Sequence, residues 1–159
     1  MEPLEGGIVD GPYTRWPERV LACGLLLGTV SAFLPWWQYT VNPLYQYFYL
    51  ATFPGGDVVS NGFNGWGILY ILSLGVSAGV LTLRALGPGE VAYLDLPVRD
   101  WFVYGVCTAL MVISLLAVWV SLPINPAVIR HEGLRYGWWT AVVAAALVLS
   151  GSLLLKAET

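Results

Sequence analysis

The stretch "WFVYGVCTALMVISLLAVWVSL", residues 101–122, decides the fold class because it contains no charged side chain. About 20 apolar residues in a helix, each rising about 1.5 Å, cross the hydrocarbon core of a bilayer. Lipid offers the backbone no hydrogen-bond partners, so a segment at that depth must pair its N–H and C=O groups internally as a helix. The stretch therefore predicts a transmembrane helix, with Trp101 at the membrane–water boundary.

Three further uncharged runs have the same character: "VLACGLLLGTVSAFLPWW", "WGILYILSLGVSAGVLTL" and "GWWTAVVAAALVLSGSLLL". Together the four runs predict an all-α membrane protein, a four-transmembrane-helix bundle that forms one domain over residues 1–159. The helices are expected at about residues 17–37, 66–84, 101–122 and 137–155. Between and before them lie an N-terminal cytoplasmic segment 1–16, an outer loop 38–65, an inner loop 85–100 and a second outer loop 123–136.

The composition supports a membrane protein and excludes nucleic acid as a partner. Of the 159 residues, 57% are apolar and 11% are charged, whereas soluble proteins carry about 25% charged residues. A chain of this length has too much surface for its volume to hide so many apolar side chains from water. The net charge is −3 and the basic residues form no patch, so the electrostatic footprint of a nucleic-acid-binding protein is missing. Membrane lipid is the expected environment and partner.

The placement of Lys and Arg predicts that both termini lie on the cytoplasmic side of a bacterial inner membrane. The use of Arg in preference to Lys, together with many Ala, Gly, Val and Leu residues, favours a high-GC bacterial source. Alternatively, the first run is a signal peptide cleaved after "VSA", residues 30–32, although the long acidic leader and the apolar residues that follow favour an uncleaved helix. The cytoplasmic side would hold Arg15, Arg19, Arg84, Arg99 and Lys156, and the outer side Arg130 and Arg135.

The outer loop 38–65 is long for a simple connection and rich in aromatic residues. Its segment "LYQYFYLATF" favours β structure, which predicts a short strand or hairpin, or alternatively a helix that lies at the surface. The turn signals "NP", "PGG" and "NGFNG" surround this segment. We expect an ordered aromatic lid over the bundle. The candidate lipid or partner contacts in and beside it are Trp36, Trp37, Tyr47 and Trp66.

Small residues recur at four-residue spacing in every predicted helix. Apolar side chains gain little by leaving lipid for each other, so close backbone approach across small residues drives helix association in membranes. Each stripe predicts either packing inside the bundle or contact with another subunit or a second copy of the chain. The candidate helix-packing residues are Gly24, Gly28, Ala32, Gly75, Gly79, Gly105, Ala109, Ala141 and Ala145.

The succession of a helix, "LPWW", a Gly- and aromatic-rich loop, "NGFNGWG" and a second helix resembles a group of small four-span membrane proteins of high-GC bacteria. The resemblance covers mainly residues 20–85 and implies a fold and a topology, but no activity. The topology is also similar to that of claudins, which have four spans, internal termini and a large first outer loop. The claudin cysteine pair is absent from residues 38–65, so the similarity does not extend to a disulfide-braced sheet or to a role in cell contact.

Residues that carry catalytic, metal or cofactor chemistry are scarce, so we expect no catalytic residue, no metal site and no cofactor. His131 is the single histidine, which excludes bis-histidine haem ligation within one chain. Cys23 and Cys107 lie far apart in sequence, without the neighbours of a zinc site. They could face each other as a thiol pair, or pack as small apolar side chains. No uncharged run contains an ionisable residue, the usual mark of coupled transport.

One polar cluster stands in the second outer loop, where Arg130, His131, Glu132 and Arg135 are close in sequence. The arginines could bind an anionic headgroup or a partner carboxylate, and a His beside a Glu could act as an acid–base pair. The simplest interpretation is a solvated turn at the membrane surface. The acidic residues of the inner loop are expected to pair locally with Arg84.

These patterns favour a non-catalytic membrane protein that serves as a structural, accessory or assembly subunit and acts through helix packing and the outer aromatic loop. An alternative is a lipid- or quinone-binding protein with an aromatic-lined pocket under that loop. A third hypothesis is an oligomeric pore. It would need a polar stripe along one helix, for which Ser73 and Ser77 are sparse.

Overall fold

A computed structural model describes residues 15–41, 57–86, 100–121 and 129–157. Four helices account for most of these residues: α1, Trp16–Phe33; α2, Gly67–Leu86; α3, Asp100–Val120; and α4, Tyr136–Ala157. Helices α2, α3 and α4 lie within a few residues of the predicted spans. All three are long and apolar enough to cross a membrane.

Helix α1 begins within one residue of its predicted start but ends four residues before its predicted end. It ends at Phe33, and Leu34 is already extended, with φ −80° and ψ 156°. The residue before a proline is disfavoured in the helical region, so Pro35 forces this early end. At the other end, the first turn carries Glu18 and Arg19. The helix has 18 residues, about 27 Å at 1.5 Å per residue, and is not among the three described helices that meet the length and hydropathy expected of a span.

A three-stranded antiparallel sheet corrects the expectation of an all-α protein. Its strands are β1, Pro35–Val41; β2, Asp57–Asn61; and β3, Ile129–Leu134, in the order β2-β1-β3. Trp37 in the central strand lies opposite Ser60 on one side and Leu134 on the other. Trp36 and Trp37, predicted at the end of the first helix, therefore begin a strand instead.

The sheet joins the first and second outer loops, for which the sequence predicts no contact. The pairing of β1 with β2 is the hairpin considered for the first outer loop, although the segment for which strand structure was favoured, residues 44–53, lies outside the described residues. Strand β3 comes from the second outer loop, where a solvated turn was expected. Its pairing with β1, such as Thr40 opposite His131, ties the two outer loops together.

A tight turn leads from β2 into α2, as the "NGFNG" signal predicts. The backbone N–H of Phe63 donates to Asn61 Oδ1 at 3.1 Å. Gly65 has a positive φ of 55°, a conformation that glycine adopts without steric cost. A Cβ on Gly67 would lie 2.2 Å from the carbonyl oxygen of Gly62, so the chain can re-enter the bundle this closely only with a glycine there.

The four helices form a ring in which α1 contacts α2 and α4, and α3 contacts the same two helices from the opposite corner. The α1–α4 pair has the most extensive contact. The sheet covers one end of the bundle, here called the sheet end, through contacts with α4 and α1. The start of α1 and the end of α4 lie at the opposite end, here called the terminal end. The core between the helices includes Leu21, Tyr70, Tyr104, Met111, Ala141 and Val148.

Candidate functional site

Trp36 of strand β1 packs into the helix bundle and connects the sheet to it. Its side chain is 1% exposed, and its indole N–H donates to the carbonyl oxygen of Ser31 at 2.7 Å. Its ring meets the ring of Tyr70 edge-on, with centroids 5.1 Å apart. A buried indole normally finds both an apolar contact and a hydrogen-bond acceptor. Trp36 has both, so β1 is held against α1 and α2 by one side chain.

Tyr70 extends this contact to a third helix. Its hydroxyl donates to the carbonyl oxygen of Ala141 on α4 at 3.4 Å and lies 3.4 Å from the hydroxyl of Ser31 on α1. Ser31 in turn donates to the carbonyl oxygen of Gly28 at 2.6 Å. We call Ser31, Trp36 and Tyr70 the sheet junction. Polar groups with partners inside a low-dielectric interior rigidify it, so the sheet junction joins α1, α2, α4 and β1 into one unit.

The structure describes three of the four aromatic residues proposed as lipid or partner contacts, and these three lie in different surroundings. Trp36 is buried in the core. Trp37 is half-buried and packs against the core. Trp66 is 54% exposed at the start of α2, where its carbonyl accepts a hydrogen bond from Ser114 of α3. Tyr47 lies outside the described residues.

The polar cluster of the second outer loop lies on strand β3 and the residue that follows it. The side chains of Arg130, His131 and Glu132 lie outside the described part of the structure, whereas their backbone belongs to β3. Arg135 is exposed, and its backbone N–H donates to the carbonyl oxygen of Trp36 at 2.8 Å. The cluster is therefore carried by the sheet, and binding of a headgroup or partner by its side chains stays a prediction.

Five of the proposed packing residues are buried. An added Cβ on Gly24 would lie 3.0 Å from the backbone nitrogen of Val148 on α4, and one on Gly28 would lie 2.7 Å from Leu74 Cδ2 on α2. Glycine thus permits α1 to approach both neighbours closely. The other three residues, Ala32, Ala141 and Ala145, are buried.

Of the remaining proposed packing residues, Gly75, Gly79 and Ala109 are exposed and Gly105 is half-buried. Gly75 and Gly79 of α2 are exposed, and an added Cβ on either would meet no atom within 4 Å. We call these two residues the outward glycine stripe. Ala109 of α3 is also exposed, and a Cβ on Gly105 would come no closer than 3.9 Å to Ser152 Oγ. The stripe on α2 is thus directed away from the protein's own helices.

The terminal end carries an ion pair between α1 and α2 that the sequence pattern did not predict. Arg84 Nε of α2 lies 3.2 Å from Glu18 Oε1 of α1, and Glu18 is 4% exposed. Its second carboxylate oxygen is buried and has no hydrogen-bond partner among the residues that the structure describes. Arg84 was expected to pair within the inner loop. The signal was available in the predicted topology, which already put the start of the first helix and the end of the second on the same side of the membrane.

The structure shows on which faces of the helices the two cysteines and two of the serines lie. Cys23 is exposed and Cys107 is buried. They lie on diagonally opposed helices and do not face each other as a thiol pair. Ser73 and Ser77 are both buried, and an oligomeric pore stays a prediction.

Within the described ranges, no group of three His, Cys, Asp or Glu residues could hold a metal ion. No model of a known protein family matches the sequence, and a comparison with curated proteins finds no match.

Proposed function

We propose that this chain is a non-catalytic integral protein of a bacterial inner membrane that acts as an accessory or assembly subunit through helix packing. The outward glycine stripe of α2 carries the proposal. Gly75 and Gly79 stand on a helix apolar enough to cross a membrane, yet no part of the described chain lies within 4 Å of a Cβ placed on them. A partner helix is the occupant that this face suits best.

The physical reason lies in how helices associate in lipid. Glycine lowers helix stability by about 1 kcal/mol relative to alanine, so two exposed glycines one turn apart need a compensating contact. Close approach of a second backbone supplies it through van der Waals contact. Gly24 and Gly28 of α1 already serve in this way inside the bundle. By the same logic, Gly75 and Gly79 serve a contact with another chain.

The proposed topology has four spans and cytoplasmic termini, with α1 as the fourth span. Helix α1 lies along α4 over nearly its full length: Gly151 faces Leu21 at the terminal end, and Gly137 faces Leu34 at the sheet end. A helix packed along a membrane-crossing neighbour shares its depth. Glu18 and Arg84 then lie at the cytoplasmic boundary, where the buried carboxylate is paired by a guanidinium.

The sheet offers a second surface for the same partner on the outer side. The sheet junction connects the sheet to α1, α2 and α4. A partner that binds the sheet would therefore also affect the packing of these three helices. Phe63 and Trp66 remain exposed beside it, at the level where aromatic rings meet lipid headgroups or a partner's interfacial residues.

The experiment that tests this function is a pull-down of the full chain from native membranes in mild detergent, followed by native mass spectrometry. We expect a stoichiometric membrane partner with the wild-type chain. The double substitution Gly75→Leu and Gly79→Leu should abolish its recovery, because two bulky side chains hold a partner backbone away. The conservative pair Gly75→Ala and Gly79→Ala should retain the partner, since alanine also permits close approach.

The matched control is Ala146→Leu, which places the same bulky side chain on the exposed face of α4. Recovery of the partner should be unchanged. The proposal is wrong if the wild-type chain is recovered as a homogeneous monomer without a protein partner, or if Ala146→Leu disrupts the complex as strongly as the substitutions on α2.

A further inference from the structure

A groove runs between α2 and α3 on the outside of the bundle, with a volume of about 330 Å³. Its floor consists of two small buried side chains, Ser73 and Cys107. Its walls include the larger, exposed side chains of Leu72, Val76, Phe102 and Val106. The groove exists because small residues stand at the floor positions where the neighbouring positions carry Leu, Val or Phe.

The lining of the groove is almost entirely apolar. No charged residue lines it, and Ser73, the one hydroxyl in the lining, already donates to the carbonyl oxygen of Leu69 at 2.8 Å. A thiol such as that of Cys107 is only a weak hydrogen-bond donor. A ligand with a polar headgroup, such as a quinone ring, would find no donor here to fix its orientation. The lining therefore suits hydrocarbon alone.

The dimensions of the groove suit a single extended chain better than the full width of a helix. From Leu69 to Val76 the groove extends about 10 Å along α2, at 1.5 Å per residue. A helix of that length and about 10 Å diameter occupies about 800 Å³, more than twice the space available. A stable protein interface also buries about 800 Å² on each partner, which nine side chains around one narrow groove do not supply. A single flexible chain fits the space.

We propose that this groove binds one acyl chain of a membrane phospholipid. Both lining helices are long and apolar enough to cross the bilayer, so the groove between them runs in the direction of the lipid chains. Apolar transfer gives no driving force within lipid; the gain comes from dispersion contacts with the floor and both walls, which an acyl chain on a flat helix face lacks. Neither Gly75 nor Gly79 lines the groove, although Leu72 and Val76 of its wall are their neighbours on α2.

The test uses the full chain in nanodiscs that contain a phospholipid with a diazirine at the middle of one acyl chain. After illumination, mass spectrometry locates the crosslinked residues. We expect crosslinks enriched at Val76 and Val106 over Val143, which is exposed to a similar extent on α4. Val76→Phe should lower the groove crosslinks several-fold because the ring fills the space. Val143→Phe, the matched control, should leave them unchanged.

Two further readouts keep the outcome decisive. Circular dichroism and the thermal midpoint show whether the Val76→Phe variant is folded. If it is not, the Cys107→Leu variant is used in its place, because its larger side chain fills the groove from the floor. Crosslinks spread evenly over the exposed residues of all helices would overturn the proposal. An unchanged yield of groove crosslinks in a folded variant with a filled groove would overturn it as well. A crosslinked peptide of another protein, or retained quinone with its tail at Val76, would assign the groove to a different occupant. The pull-down reports on Gly75 and Gly79, so the two proposals fail separately.

Discussion

At the scale of single residues, Trp36 and Trp66 show how position alone separates two identical side chains. Both flank the loop between α1 and α2. Trp36 is buried against Tyr70 with its N–H paired, whereas Trp66 remains largely exposed. The first contributes to stability and the second is available to lipid or to a partner. A tryptophan belt at the membrane boundary therefore describes Trp66 but not Trp36.

Trp36→Ala should lower the free energy of unfolding by about 3–5 kcal/mol, the usual range when a buried large aromatic side chain is removed. Trp36→Phe keeps much of the ring contact and loses the hydrogen bond to Ser31, so it should cost about 1 kcal/mol from that bond plus a smaller packing loss. Chemical unfolding in detergent, followed by circular dichroism, measures both. Trp66→Ala is the control and should change stability little. An equal loss for Trp36→Ala and Trp66→Ala would contradict the sheet junction.

At the scale of secondary-structure elements, the backbone crossings are closest where glycine removes a side chain. At the start of α4, Gly137 lies against the turn between α1 and β1. A Cβ there would lie 2.6 Å from the carbonyl oxygen of Pro35 and 2.9 Å from the carbonyl carbon of Leu34. Backbone atoms cannot rotate away as a flexible side chain can, so the junction of helix and sheet depends on this glycine.

Gly137→Ala should therefore destabilise the protein by about 1–3 kcal/mol, the typical cost of overpacking. Gly79→Ala is the matched control, since its added methyl meets no atom of the described residues within 4 Å. It should be as stable as the wild type or up to about 1 kcal/mol more stable, because alanine favours a helix over glycine. The thermal midpoint of each purified variant in the same detergent distinguishes them. If Gly137→Ala is as stable as Gly79→Ala, the turn between α1 and β1 is looser than its contacts indicate.

At the scale of the whole molecule, the two ends of the bundle are chemically different. The sheet end carries β1, β2 and β3, and the terminal end carries the buried ion pair of Glu18 and Arg84, with Lys156 over the ring of Trp101, 4.9 Å from its centroid. Basic residues near the ends of short spans favour the cytoplasmic side. We expect the sheet end to lie outside the cell.

Single cysteines test this topology in a background of Cys23→Ala and Cys107→Ala. In intact cells, a membrane-impermeant maleimide should label Asp57→Cys, whereas Arg15→Cys and Lys156→Cys should react only after permeabilisation. The reverse pattern would mean that the orientation is inverted. Labelling of both Arg15→Cys and Asp57→Cys in intact cells would instead mean that α1 does not cross the membrane.

The amino-acid sequence by itself determined the membrane character and the positions of α2, α3 and α4. Charge-free apolar runs have few stable structures in lipid, because the backbone must pair with itself. It also marked the turn before α2, where Asn61 and Gly65 adopt the local geometry that their types favour. These features depend on neighbours along the chain, which a pattern in sequence contains.

Only the tertiary structure decided which residues meet across the chain. The pairing of β1 with β3 joins loops about 90 residues apart, and neither strand has enough alternation to indicate it in isolation. The strand that follows α1 is likewise settled by its partners, since β1 pairs with β2 on one side and with β3 on the other. Which glycine stripes face inward depends on the rotation of each helix about its axis. That rotation is set by packing between helices, so Gly24 became a core contact and Gly75 an outward one although both lie in similar small-residue patterns.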